Sequence, residues 1–177
     1  MLSVPALAAE SGTENLVRSK TYTGQFSDLP EDHTFYKNVA ALYEYGLSVG
    51  QADGTFGLTA PMTVGQTVIF AGRIRSLYRT GDPEAGPAAF AAAAVSQKDA
   101  RRVYAPYLWY LQSEGVLDKA LDDCLTQPAT RAQMAHVLAN LLPEEALPLI
   151  NDSLVTQGYA SRRRITDVTE YTPYYQD

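Results

Sequence analysis

The chain has 177 residues, 46% of them apolar and 19% charged, with a formal charge of −6. That is enough apolar side chain to build a core, and it excludes an intrinsically disordered polypeptide. Acidic side chains outnumber basic ones 20 to 14, which argues against the basic face that phosphate neutralisation needs, so no nucleic-acid partner is expected. The single cysteine, Cys124, excludes an internal disulfide or a multi-cysteine metal site, and no run approaches the ~20 apolar residues of a bilayer span.

In chain order, residues 1–9 are apolar and contain Ala6-Leu7-Ala8, a small-x-small cleavage pattern followed at once by polar Glu10 and Ser11. They read as the remnant of a secretory signal peptide whose basic start is missing. Next comes an apolar stripe, Phe35, Val39 and Leu42, with helical spacing and a closing glycine, Gly46. The same set recurs 69 positions later as Tyr104, Leu108, Leu111 and Gly115. Glycine readily takes the left-handed conformation that ends a helix, so each stripe predicts a short helix with a glycine stop.

Each stripe is followed by a loop and a second helix start. Thr63 with Gln66, and Thr130 with Gln133, have the spacing of a capping box, in which the threonine hydroxyl and the glutamine side chain satisfy each other's amides. Beyond them Phe70, Ala71, Ile74 and Leu77, and then Met134, Val137, Leu138, Leu141 and Leu142, keep a helical period. The two units occupy 26–80 and 95–142. The Gly-, Pro- and Ala-rich stretch 81–94 joins them, and its alanine-rich end favours helix. After a connector at 143–164, Ile165-Thr166-Asp167-Val168 repeats Phe26-Ser27-Asp28-Leu29 at an offset of 139, so 165–177 reads as the opening of a third, truncated unit. The expected fold is all-α: repeated helix–loop–helix units around a shared core.

Several residues of the first unit carry a family resemblance. They are Phe26-Ser27-Asp28-Leu29-Pro30, the helix to Gly46, the loop Gly50-Gln51-Ala52-Asp53-Gly54-Thr55-Phe56, and Ala60-Pro61-Met62-Thr63. They resemble the S-layer homology family, as does Thr130-Arg131-Ala132-Gln133 in the second unit. Departures from the family pattern are specific. Its first-helix tryptophan is absent at Thr34 and Val103, Val64 replaces its arginine in the first unit, and Gln66 and Gln133 replace its glutamate. The second unit lacks the Asp-Gly-Thr-Phe loop, and its threonine follows its glycine at an offset of 15 rather than 17.

The resemblance implies three motifs in a pseudo-threefold prism on a secreted protein of a Gram-positive-type envelope. It implies binding to a pyruvylated secondary polysaccharide linked to peptidoglycan, which anchors a larger protein at the cell wall or S-layer without catalysis or cofactor. A ketal carboxylate suits arginine, which offers two parallel charge-assisted hydrogen bonds, and helix N-termini also suit anions. Arg131 is the family-matching cation. The further candidates for ligand contact are Thr130, Gln133, Asp28, Asp53, Gly54, Thr63, Gln66 and Asp167. Most have a structural alternative: Asp53-Gly54 as a tight turn, the threonines as caps, and Asp28 and Asp167 as caps or turn-holders at the first helix. Phe56, Tyr104 and Tyr107 read as core aromatics.

The other readings are an enzyme and a helical-repeat protein-binding scaffold. Cys124 and His136 lack a third orienting group, and His33 with His136 are too few for zinc. The long loop after Gly46 favours the S-layer type over a stacked scaffold.

Overall fold

The computed structural model describes residues 12–98 and 101–147. Among them are six α-helices and no strand, in line with the all-α expectation. They are α1 (Tyr36–Glu44), α2 (Val64–Thr80), α3 (Ala85–Ala88), α4 (Ala91–Ala94), α5 (Arg101–Ser113) and α6 (Arg131–Ala139).

Local chemistry sets the ends of these helices. Gly46 and Gly115 follow α1 and α5 with φ of 71° and 69°, the left-handed geometry that a side chain would strain. At the start of α2, Thr63 Oγ1 accepts the Gln66 N–H while Gln66 Oε1 accepts the Thr63 N–H, at 3.2 and 2.8 Å. Thr130 and Gln133 make the same reciprocal pair at the start of α6, at 3.1 and 2.9 Å. Both glycine stops and both capping boxes therefore form as the spacing predicts.

Helix packing crosses the two halves of the chain. α2 packs chiefly on α5 and less extensively on α6, while neither α1 on α2 nor α5 on α6 forms a comparable pair. Close approach of α2 and α5 depends on glycine: a Cβ at Gly65 would lie 2.7 Å from the Tyr104 ring, and one at Gly72 would lie 3.0 Å from that of Tyr107. The main core joins Val64, Val68 and Ala71 of α2 to Leu108 and Leu111 of α5. It continues through Val116, Leu117, Leu121 and Leu125 of the loop to Val137 and Leu141. Burial of each large aliphatic side chain here contributes about 1.5–3 kcal/mol.

A second, smaller core holds α1 against the segment before it. Tyr22, Phe26, Leu29 and Val39 are buried there, with Tyr43, Phe56 and Leu58 packed around them. The Phe26 ring lies 5.4 Å from Phe56 and 5.7 Å from Tyr43, within the range of favourable aromatic contact. Phe56 thus packs as a core aromatic, as do Tyr104 and Tyr107 against the main core. Phe35 differs from the expectation of a continuous stripe: it precedes α1 and is 58% exposed. Nothing in the described residues covers it as α2 covers Tyr104.

The stretch 81–94 is more than a spacer. It contains α3, which packs on α2 and α5, and α4, which packs on α5. Buried Ser76 of α2 ties the stretch down: its Oγ donates to the Asp82 carbonyl at 2.6 Å and accepts the Gly86 N–H at 2.9 Å. Arg75 ties three elements together, donating to the Glu114 carboxylate at 3.1 Å and to the Leu141 carbonyl at 3.2 Å. The N-terminal segment is fastened as well, with Asn15 donating to the Tyr78 carbonyl at 2.9 Å.

Candidate functional site

The described candidates fall into two groups, one around the loop after α1 and one at the starts of α2 and α6. In the first group, Asp28 sits just before α1 in sequence but acts on the loop beyond it. Its carboxylate accepts the Phe56, Gly57 and Leu58 N–H groups at 2.7, 2.9 and 3.3 Å. Three backbone donors favour the ionised form and hold the Asp28 pKa below its ordinary value, the Phe56 bond foremost. The sequence expectation was a cap or a turn-holder at the first helix; the structure shows a clasp reaching 28 to 30 residues along the chain.

Asp53 and Gly54 make the turn. Asp53 Oδ1 accepts the Thr55 hydroxyl at 2.7 Å and the Thr55 N–H at 3.0 Å, which lowers the Asp53 pKa. Gly54 has φ of 82°, and its carbonyl accepts the Ser27 N–H at 3.0 Å. The Asp-Gly pair is therefore engaged in closing the loop onto the segment before α1.

In the second group, the start of α2 lies against the segment that leads into α6. Thr63 and Pro128 form an antiparallel bridge. The Val64 and Gly65 N–H groups donate to the Gln127 and Leu125 carbonyls at 2.9 and 2.7 Å, and the Ala129 N–H returns to Met62 at 2.8 Å. The first amides of α2 are thus taken by the protein itself, and Val64 is only 1% exposed. Arg131 stands 67 positions later, on the first turn of α6, and is exposed. The family-type cation and the valine that replaces it consequently occupy opposite environments.

A small polar cleft of about 190 Å³ lies beside α5, lined by Arg101, Tyr104, Asp122, Asp123, Leu125 and Thr126. Apart from Tyr104, named as a core aromatic, sequence reasoning singled out none of these residues as a site. An aromatic beside several polar groups is a signal only once folding brings positions 101–104 next to 122–126. Larger, at about 580 Å³, is an apolar groove between α1 and α2, closed by Met134 of α6. Gln66 is the one candidate that lines it. No group of three or more metal-ligating side chains occurs among the described residues, and Cys124 Sγ contacts the Gln133 amide at 3.7 Å and the Leu121 carbonyl at 3.4 Å. Asp167, the signal-peptide remnant, the stretch 148–164 and the third-unit opening lie outside the described residues.

No curated protein and no solved structure matches the chain. A family model does, and it covers the Asp28 clasp, α1, the Asp53-Gly54 turn and the Thr63 cap. S-layer homology domains are generally non-catalytic modules that anchor proteins to the cell wall by binding secondary cell-wall polymers. The model that matches is that of the S-layer homology domain, over residues 25–63.

Proposed function

We propose that this chain is a non-catalytic anchoring module that binds a peptidoglycan-linked secondary cell-wall polysaccharide. In doing so it retains a larger secreted protein, continuous with it, at the cell envelope. The observation that carries the reading is the family match over residues 25–63. Chemistry supports it in the second unit, where exposed Arg131 stands on the first turn of α6 between Thr130 and Gln133. A pyruvate ketal would offer that guanidinium a carboxylate, and the positive end of the helix dipole adds to the attraction. The polar cleft at Tyr104 has the character that sugar recognition uses, an aromatic face with hydrogen-bonding groups beside it.

Binding in the first unit is a weaker expectation, since Val64 is buried and the α2 amides are satisfied within the protein. Affinity then rests on the second unit and on further units acting together.

The test is co-sedimentation with cell-wall sacculi before and after the secondary polymer is stripped. Anchoring gives pelleting that disappears on stripping; a protein-binding scaffold gives pelleting that ignores it. Replacing Arg131 with alanine is expected to weaken pelleting about tenfold or more, the loss of one charge-assisted pair. Unchanged pelleting of that variant removes Arg131 from the site.

A further inference from the structure

A single segment, residues 12–22, grips the ends of two helices that belong to different cores. At the α2 end, the Asn15 side-chain amide donates to the Tyr78 carbonyl at 2.9 Å. Gly12 is buried on the Tyr78 ring with φ of 70°, where an added Cβ would lie 2.6 Å from the ring. At the α1 end, the Ser19 and Lys20 N–H groups donate to the Glu44 carbonyl at 2.9 and 3.1 Å. The Glu44 carboxylate accepts the Tyr22 N–H at 3.3 Å and pairs with Arg18 at 2.9 Å.

Glu44 is out of place by local chemistry. It is the last residue of α1, at the negative end of the helix dipole, and no basic residue accompanies it in that turn. Residues 18–22 supply what the helix lacks: amides for its terminal carbonyl and a cation for its acid. At nine residues α1 is too short to persist in water unaided, so it depends on such partners. The same segment then enters the small core through Tyr22, beside Val39.

Other ties between α1 and α2 are sparse. The two helices form no extensive pair, and the apolar groove lies between them. Arg73 of α2 adds one hydrogen bond, to the Leu47 carbonyl at 3.2 Å. Within the segment itself, Val17 lies between the two grips and is 64% exposed, so the grips are joined by chain alone.

We propose that residues 12–22 are a latch fixing the small core to the α2–α5 core. Unseating the latch at Tyr78 lets α1 and its core open as a unit while α2, α5 and α6 stay folded, a sub-global opening of the kind that separate cores permit. The walls of the apolar groove, α1 and α2, belong to the two bodies that the latch joins, so the latch sets how far the groove opens. This inference does not rest on polysaccharide binding.

The experiment is native-state amide hydrogen exchange on the 177-residue chain, as wild type, Gly12→Val and Asn15→Ala. Both substitutions act at the α2 end, whereas Glu44 is held by the other end. Gly12→Val places a branched side chain on the Tyr78 ring at a left-handed position. It is expected to speed exchange of the Val39–Tyr45 amides about tenfold or more. Asn15→Ala, which removes one hydrogen bond, is expected to speed it about fivefold. The Leu108–Leu111 amides of α5 should be unchanged in both.

Exchange in α1 that ignores both substitutions would overturn the latch. So would equal acceleration in α1 and α5, because the chain would then open as one body. Should Gly12→Val fail to fold, Asn15→Ala gives the same two readings. No polymer enters these measurements, so the anchoring proposal and this one can fail separately.

Discussion

Two positions with the same local sequence role end up in different surroundings. Val64 and Arg131 each follow a threonine cap and open a helix, and both caps close with the same pair of hydrogen bonds. Yet Val64 is sealed under the segment 125–129, whereas Arg131 remains exposed. The first helices contrast in parallel: α5 rests on α2, while the matching face of α1 borders an open groove. In both comparisons the local motif is kept, and its use is decided by which segment is laid across it.

The largest test of this contrast compares Leu111 with Leu42, equivalent positions of the two stripes. Leu111 is 0% exposed in the main core, whereas Leu42 is half-buried and lines the groove. Leu111→Ala is expected to cost about 3–4 kcal/mol and Leu42→Ala about 1 kcal/mol, measured by urea denaturation. Equal costs would mean that α1 is packed as tightly as α5, and the comparison would break.

A smaller effect is expected at the caps. Thr63→Ala and Thr130→Ala should each lose about 1 kcal/mol, the usual value of a threonine N-cap.

The two halves should also differ in pH response. Asp28 has a lowered folded-state pKa, because three loop amides bond to its ionised form. Its contribution is fully present above its ordinary value of 3.8 and is lost as pH falls through the folded-state value. Asp28→Asn should flatten that acid limb.

Tyr107 is raised from 10.0 to about 12 by burial and by donating to Glu84 at 2.6 Å. Its contribution is fully present below pH 10.0 and is lost as pH rises toward about 12. Tyr107→Phe should remove this alkaline decline while leaving the acid limb unchanged, as read from the urea midpoint across pH.

Much of the local structure was legible before folding was considered. A capping box needs only a threonine and a glutamine three residues apart, and a helix stop needs only a glycine that can take positive φ. The Asp53-Gly54 turn belongs to the same class, because its partner Thr55 is two residues away. The Asp28 clasp was not legible, since nothing in the spacing says that a carboxylate will reach amides 28 residues on. Arg75 was missed for the same reason: an arginine in a helical stretch reads as solvated until Glu114 and the Leu141 carbonyl are brought beside it.

By itself, then, the sequence of this protein determined where α2 and α6 begin and where α1 and α5 stop, because those signals act over one helical turn and involve hydrogen bonds between near neighbours. Only the tertiary structure decided that α2 faces α5 rather than α1, that Val64 is covered while Arg131 is not, and that an apolar groove lies open beside Phe35. Apolar stripes attract one another without direction. Which two stripes meet is settled by shape, here by Gly65 and Gly72 leaving room for Tyr104 and Tyr107.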